Sequence, residues 1–184
     1  FIARLLAATV LAATLAACGG SDDDDDDDPQ IRFINGTADV ASIDMTIDND
    51  DIDETRQFTA VARDAQSEYA GVDNTSYTVR IKREGAGSTL ALNSASIEQD
   101  QRYTVFAYGR EGDYRVYAAL DDEDEPSSGK ATVRVFNAAP DAGSVDVYLT
   151  EEAASLDDTL ATISNVGAAT LSFYNTIDRG TYRL

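Results

Sequence analysis

The chain repeats itself, and that repetition limits its architecture more than any other feature. The segment IRFINGTADVASIDMTI (Ile31 to Ile47) lies over VRVFNAAPDAGSVDVYL (Val133 to Leu149) without a gap, at an offset of 102 residues. Five of the 17 positions are identical: Arg32 meets Arg134, Asn35 meets Asn137, Asp39 meets Asp141, Ser42 meets Ser144 and Asp44 meets Asp146. The apolar positions correspond throughout. Further on, YAGVDNTSYTV from Tyr69 aligns with YNTIDRGTYRL from Tyr174 at an offset of 105, so the intervening loop is three residues longer in the second copy. The sequence predicts a tandem pair of one small unit, the first ending near Leu120.

Within a copy the hydrophobic period is two. Ile43, Met45 and Ile47 alternate with Asp44, Thr46 and Asp48, and Tyr77, Val79 and Ile81 alternate with Thr78, Arg80 and Lys82. Such alternation marks half-buried strands. Seven strands are expected in the first copy, over 31–36, 42–48, 67–72, 76–83, 89–96, 102–109 and 114–120, separated by turns rich in Gly, Asn or Asp. Seven short strands with no helix between them fit an all-β, antiparallel sandwich. The predicted organisation is residues 1–17 as a leader, 18–29 as a tether, 30–121 as the first unit, 122–130 as an acidic linker and 131–184 as a partial second unit. On this reading the natural frame continues for about forty residues beyond Leu184. The second copy should then lack its last three strands and expose core surface.

The N-terminal residues concern address. Arg4 precedes an apolar run from Leu5 to Ala17, the charged-then-apolar order of a secretory signal peptide. Its thirteen residues fall short of the roughly 20 that a membrane-spanning helix needs. Because the chain opens on Phe1 rather than Met, a few further residues with another Lys or Arg are expected ahead of it. Leu15-Ala16-Ala17-Cys18 resembles the lipobox of bacterial lipoproteins, and the resemblance implies that Cys18 carries lipid. A disulfide or metal role for Cys18 would need partners, yet the chain holds one cysteine and no histidine. Two or more acyl chains make a stable anchor, each buried methylene contributing about 0.8 kcal/mol. The seven consecutive aspartates Asp22 to Asp28 repel one another and cannot bury surface, so they read as an extended tether. From Gly19 to Pro29 it would reach roughly 35 Å. Gly19 stands where an aspartate would, by resemblance to enterobacterial lipoproteins, signal inner-membrane retention. Outer-membrane attachment in a Gram-negative bacterium is therefore expected.

Charge excludes one class of partner. A net charge of −20 offers no basic footprint for a phosphate backbone, so no nucleic-acid partner is expected. Enzyme chemistry is not expected either. Without histidine or a second cysteine the usual proton shuttle and thiolate nucleophile are missing, and no nucleophile elbow or phosphate-binding glycine loop occurs. Nothing singles out a pair of carboxylates for glycoside hydrolysis. No catalytic residue, cofactor or metal site is assigned. The sharpest metal candidate is TIDNDDIDE, with Asp48, Asp50, Asp51, Asp53 and Glu54. Counted from Asp48, however, Ile52 and Asp53 stand where a calcium loop wants an oxygen ligand and a glycine.

RVFNAAPDAGSVDVYL, YAGVDNTSYTVRI and RYTVFAYGREGDYRVYAAL resemble the opening, middle and closing strands of the bacterial secreted family catalogued as domain of unknown function 4397. The resemblance covers essentially everything after Pro29. It implies an immunoglobulin-like or transthyretin-like β architecture, an envelope or extracellular setting and frequent tandem copies, and carries no activity. Ala38 stands in the first copy where the second has Pro140, a departure that bears on turn rigidity.

The repeated polar set Asn35, Asp39 and Asp44, with Asn137, Asp141 and Asp146, has two readings. Asn and Asp close loops by bonding nearby backbone amides; a calcium or ligand site is the competing one. At the level of the protein, an anchored binding or adhesion-type module would use loops or Tyr69, Tyr108 and Tyr117 to contact an envelope polymer or protein. A structural spacer or self-assembling envelope protein would have no dedicated ligand.

Overall fold

The computed structural model describes residues 28–121, 125–151 and 154–184. The leader, Cys18, nearly all of the tether and residues 122–124 of the linker lie outside the described residues. Eight strands occupy the first segment: β1 (Gln30–Thr37), β2 (Ser42–Asn49), β3 (Glu54–Ala62), β4 (Ala70–Gly71), β5 (Ser76–Arg83), β6 (Thr89–Ser96), β7 (Arg102–Arg110) and β8 (Asp113–Leu120). They form two four-stranded sheets, in the orders β4-β1-β7-β8 and β3-β2-β5-β6. Both sheets turn their apolar faces onto one core. Ile31, Phe33, Ile43, Met45, Ile47, Val79, Ile81 and Val105 are fully enclosed in it. Each such side chain contributes about 1.5–3 kcal/mol by leaving water. Where β6 and β8 meet, the Asn93 side-chain amide donates to the Val116 carbonyl across 3.0 Å.

Three features depart from the expected pattern. First, β3 was not legible as a strand. Only Phe58 and Val61 of its nine residues are buried, and they stand three apart. The cause is a bulge: Met45 faces Phe58 and Ile43 faces Val61, so β3 holds an extra residue, and Ala60 adopts φ 54°. That residue breaks the two-residue period. Second, the strand expected over 67–72 shortens to Ala70–Gly71, although residues 64–67 still follow β1 through single bonds such as Asn35 N–H to the Ala65 carbonyl and Ser67 N–H to the Phe33 carbonyl. Third, the architecture is not wholly antiparallel, because β1 and β7 pair in parallel from Gln30↔Arg102 to Thr37↔Gly109. Side-chain alternation records which face a residue occupies, not which way its neighbour runs.

The β7–β8 hairpin turns through Glu111-Gly112, closed by Arg110 opposite Asp113. Gly109 has φ +92°, and a Cβ there would overlap the Asp113 carbonyl oxygen. Gly109→Ala is therefore expected to cost at least about 2 kcal/mol in chemical denaturation. An unchanged midpoint would mean that the hairpin can shift to admit the methyl group.

The second segment contains β9 (Lys130–Val133), β10 (Val145–Val147), a 3-10 turn (Leu156–Asp158), β11 (Ile163–Val166) and β12 (Asn175–Asp178). β9 pairs β12, and β10 pairs β11. The pair Val133↔Asn175 has its counterpart in Ile31↔Ala70, the bridge Phe136↔Leu171 in Ile34↔Gln66, and the bridge Thr150↔Arg183 in Asp48↔Thr78, all at offsets of 102 and 105. Val135, Val145 and Val147 are only half-buried, whereas their counterparts Phe33, Ile43 and Met45 are enclosed. No helix among the described residues is long and apolar enough to cross a membrane.

Candidate functional site

The repeated polar residues hold loops. Asn35 is fully enclosed; its amide nitrogen donates to the carbonyls of Val61 (3.0 Å) and Val40 (3.4 Å), and its Oδ1 accepts from the Thr37 N–H and hydroxyl. Asn137 repeats the arrangement, donating to Val166 and Gly143 and accepting from the Ala139 N–H. Asp44 accepts the N–H of Ala60 at 2.9 Å and of Gly85 at 3.0 Å, while Asp146 accepts the N–H of Asn165 at 2.7 Å. Ala60 and Asn165 both have positive φ, 54° and 56°. The carboxylate thus fixes a backbone that L-residues adopt only at a cost.

Asp39 and Asp141 share a position but not a role. Asp39 accepts from the Glu111 N–H (2.9 Å) and the Tyr114 hydroxyl (2.8 Å), and these two bonds hold its carboxyl below the usual carboxylate range. Asp141 instead forms an ion pair with Arg110 at 2.7 Å.

The acidic loop is similarly occupied at its ends. Asp48 pairs Arg80 at 2.7 Å, and Glu54 accepts from the Tyr77 hydroxyl and the Asp73 N–H. Burial, followed by the Glu54 carboxylate, pushes the Tyr77 phenol well above its ordinary range. Among the described residues no three acidic or cysteine side chains are grouped closely enough to hold a metal ion.

All three tyrosines considered as ligand contacts are engaged inside the chain. Tyr69 lies beneath the guanidinium groups of Arg32 (4.7 Å) and Arg102 (5.7 Å) and donates to Asp121 across 2.9 Å. Burial first, then the hydrogen bond to Asp121, raises its phenol above the ordinary value. Tyr108 meets Phe136 edge-on at 5.1 Å, and Tyr117 stacks on the same ring at 5.3 Å with planes 5° apart. Phe106 completes the cluster at 4.6 Å.

These contacts reveal a junction between the two segments that the residue pattern did not single out. Asp121, directly after β8, accepts from Tyr69 and from the Thr104 hydroxyl (2.5 Å) through one oxygen and from Arg134 through the other. Both members of the Asp121–Arg134 pair are about 15% exposed (15% and 14%). Arg134 also lies 4.5 Å from the Tyr174 ring, as Arg32 lies over Tyr69. The signal for it was an aromatic residue, Phe136, at an outward position of an alternating stretch just past β9. Asp121 was hidden at the head of an acidic run.

Beside the junction opens a cleft of about 450 Å³, lined by Gly36, Ala38 and Arg110 from the first segment and Val135, Asn137 and Pro140 from the second. Its floor is apolar because Val135 and Val145 are only half covered. The Arg110–Asp141 pair stands at its edge, exposed enough to contribute little to stability. The family described as domain of unknown function (DUF4397) matches residues 29–148, a span that includes Asn35, Asp121 and the junction residues Arg134 and Phe136. No curated protein matches the chain.

Proposed function

The chain belongs to the DUF4397 family, and from that premise we propose that it is a lipid-anchored cell-envelope protein carrying tandem β-sandwich units as a binding or adhesion-type module. The lipid sits on Cys18, the aspartate run holds the units clear of anionic headgroups, and the membrane is the outer membrane of a Gram-negative bacterium. The tandem reading is supported by the recurrence at fixed offsets of strand pairs, of the Asn-closed loop, of the Arg-over-Tyr contact and of the bulge, which lies between Ile43 and Met45 in the first segment and between Val145 and Val147 in the second. Two four-stranded sheets sharing one core suit an immunoglobulin-like or transthyretin-like unit.

The observation that carries the binding role is the cleft between the segments, concave and apolar with polar groups at its edge. Its ligand is an envelope polymer or protein. A spacer without a dedicated ligand is the second reading, favoured by the internal engagement of Tyr69, Tyr108 and Tyr117. Co-sedimentation with envelope polymers separates the two. Ala139→Arg, which places a charged side chain at the cleft, abolishes co-sedimentation under the binding reading; sedimentation by neither protein leaves the spacer.

Anchoring has its own test. Intact-mass analysis of membrane fractions should show acyl chains on the full protein and none on Cys18→Ser, which should leave the membrane. Protease shaving of whole cells then reports which face carries the units. An unmodified, soluble wild type would refute the anchor.

A further inference from the structure

We propose that Asp121 and Phe136 lock the two segments into one rigid body. The argument rests on face-to-face packing. In β7, Val105 and Ala107 point into the first core, leaving Phe106 and Tyr108 on the opposite face of the sheet with Tyr117 of β8. Phe136 covers all three rings with centroids 4.6–5.3 Å away. On the second segment, Arg134 and Phe136 alternate with Val133, Val135 and Asn137 and therefore share the face opposite to the half-formed core.

Like positions meet across this contact. A Cβ at Gly36 would lie 3.7 Å from that of Ala138, its own counterpart at an offset of 102. Arg32 and Arg134 approach the same Asp121, the former through Thr104 and the latter directly. The half-buried position of the Asp121–Arg134 pair opposes separation, because parting would leave each charge and the ring cluster to find new partners. The surface used by the first segment thus recognises a second copy of its own fold unit.

Nitrogen-15 relaxation on the full chain tests this. One tumbling time for the amides of both segments is expected for the wild type. In Asp121→Asn/Phe136→Ala the second segment should lose that shared value and tumble about twofold faster or more, as a smaller independent body would. Arg110→Ala, which breaks only the exposed pair at the cleft, should leave the shared value unchanged. Two tumbling times in the wild type would overturn the proposal without any variant. A single time retained by a well-dispersed double variant would do so too, and release by Arg110→Ala would remove Asp121 and Phe136 as the lock. Asp121→Asn alone is the milder variant if the double change prevents folding, and the same loss is expected of it.

Discussion

Replacing Ile47 by alanine will lower the unfolding free energy by about 4 kcal/mol, near the upper part of the range for large-to-small changes in a closed core. Ile47 is fully enclosed between the two sheets, and its neighbours Val79 and Ile81 on β5 are enclosed as well. Removing three carbons there forfeits their transfer from water and leaves a cavity that strands paired on both sides cannot collapse to fill. The matching change in the second segment, Leu149→Ala, should cost only about 1 kcal/mol, because Leu149 is half-exposed and solvent already reaches the site. Urea denaturation of both variants reads the contrast. Equal costs would show that the second segment has a closed core comparable to the first.

Asn35→Ala will be nearly as damaging as Ile47→Ala, at about 3 kcal/mol, despite removing only a polar group. The side chain is enclosed, and it bonds the carbonyls of Val40 and Val61 and both polar groups of Thr37. Alanine takes the side-chain partner from each of those groups, leaving the Thr37 hydroxyl and the Val40 carbonyl only their mutual 3.4 Å bond, and each buried orphan costs about 1–3 kcal/mol. Asn35→Asp should be worse at neutral pH. The new carboxyl would face the Val61 carbonyl where an N–H now donates, in a place without solvent, so its folded-state pKa rises above the unfolded value. A group raised in this way loses stability as pH rises through the unfolded pKa and beyond. Chemical denaturation at acid and neutral pH should therefore find the Asp variant closer to wild type in acid. The opposite slope would mean that a cation reaches the site.

The strands that could be read in advance are those with an unbroken two-residue period. β2, β5 and β7 have apolar residues at every second position because one face of each meets the core, and their ends fall within two residues of those expected. β3 escaped because its bulge places Phe58 and Val61 three apart, so a real strand imitates an irregular loop. The repeated Asn35/Asn137 and Asp44/Asp146 pairs were visible as residues at a fixed offset. Their partners, the Val61 and Val166 carbonyls and the N–H groups of Ala60 and Asn165, are backbone groups that carry no residue signature.

By itself the sequence determined the β character of this protein, the offset between its two similar segments and the residues that face its core, because local alternation and internal similarity are properties of the chain alone. Only the tertiary structure decided that β1 and β7 run parallel, that Tyr69, Tyr108 and Tyr117 are spent on internal contacts, and that Asp121 and Phe136 join the segments. The physical reason is sequence distance. Direction of pairing and contact between sheet faces arise between residues far apart in the chain, and they depend on how whole sheets are placed, which no local period encodes.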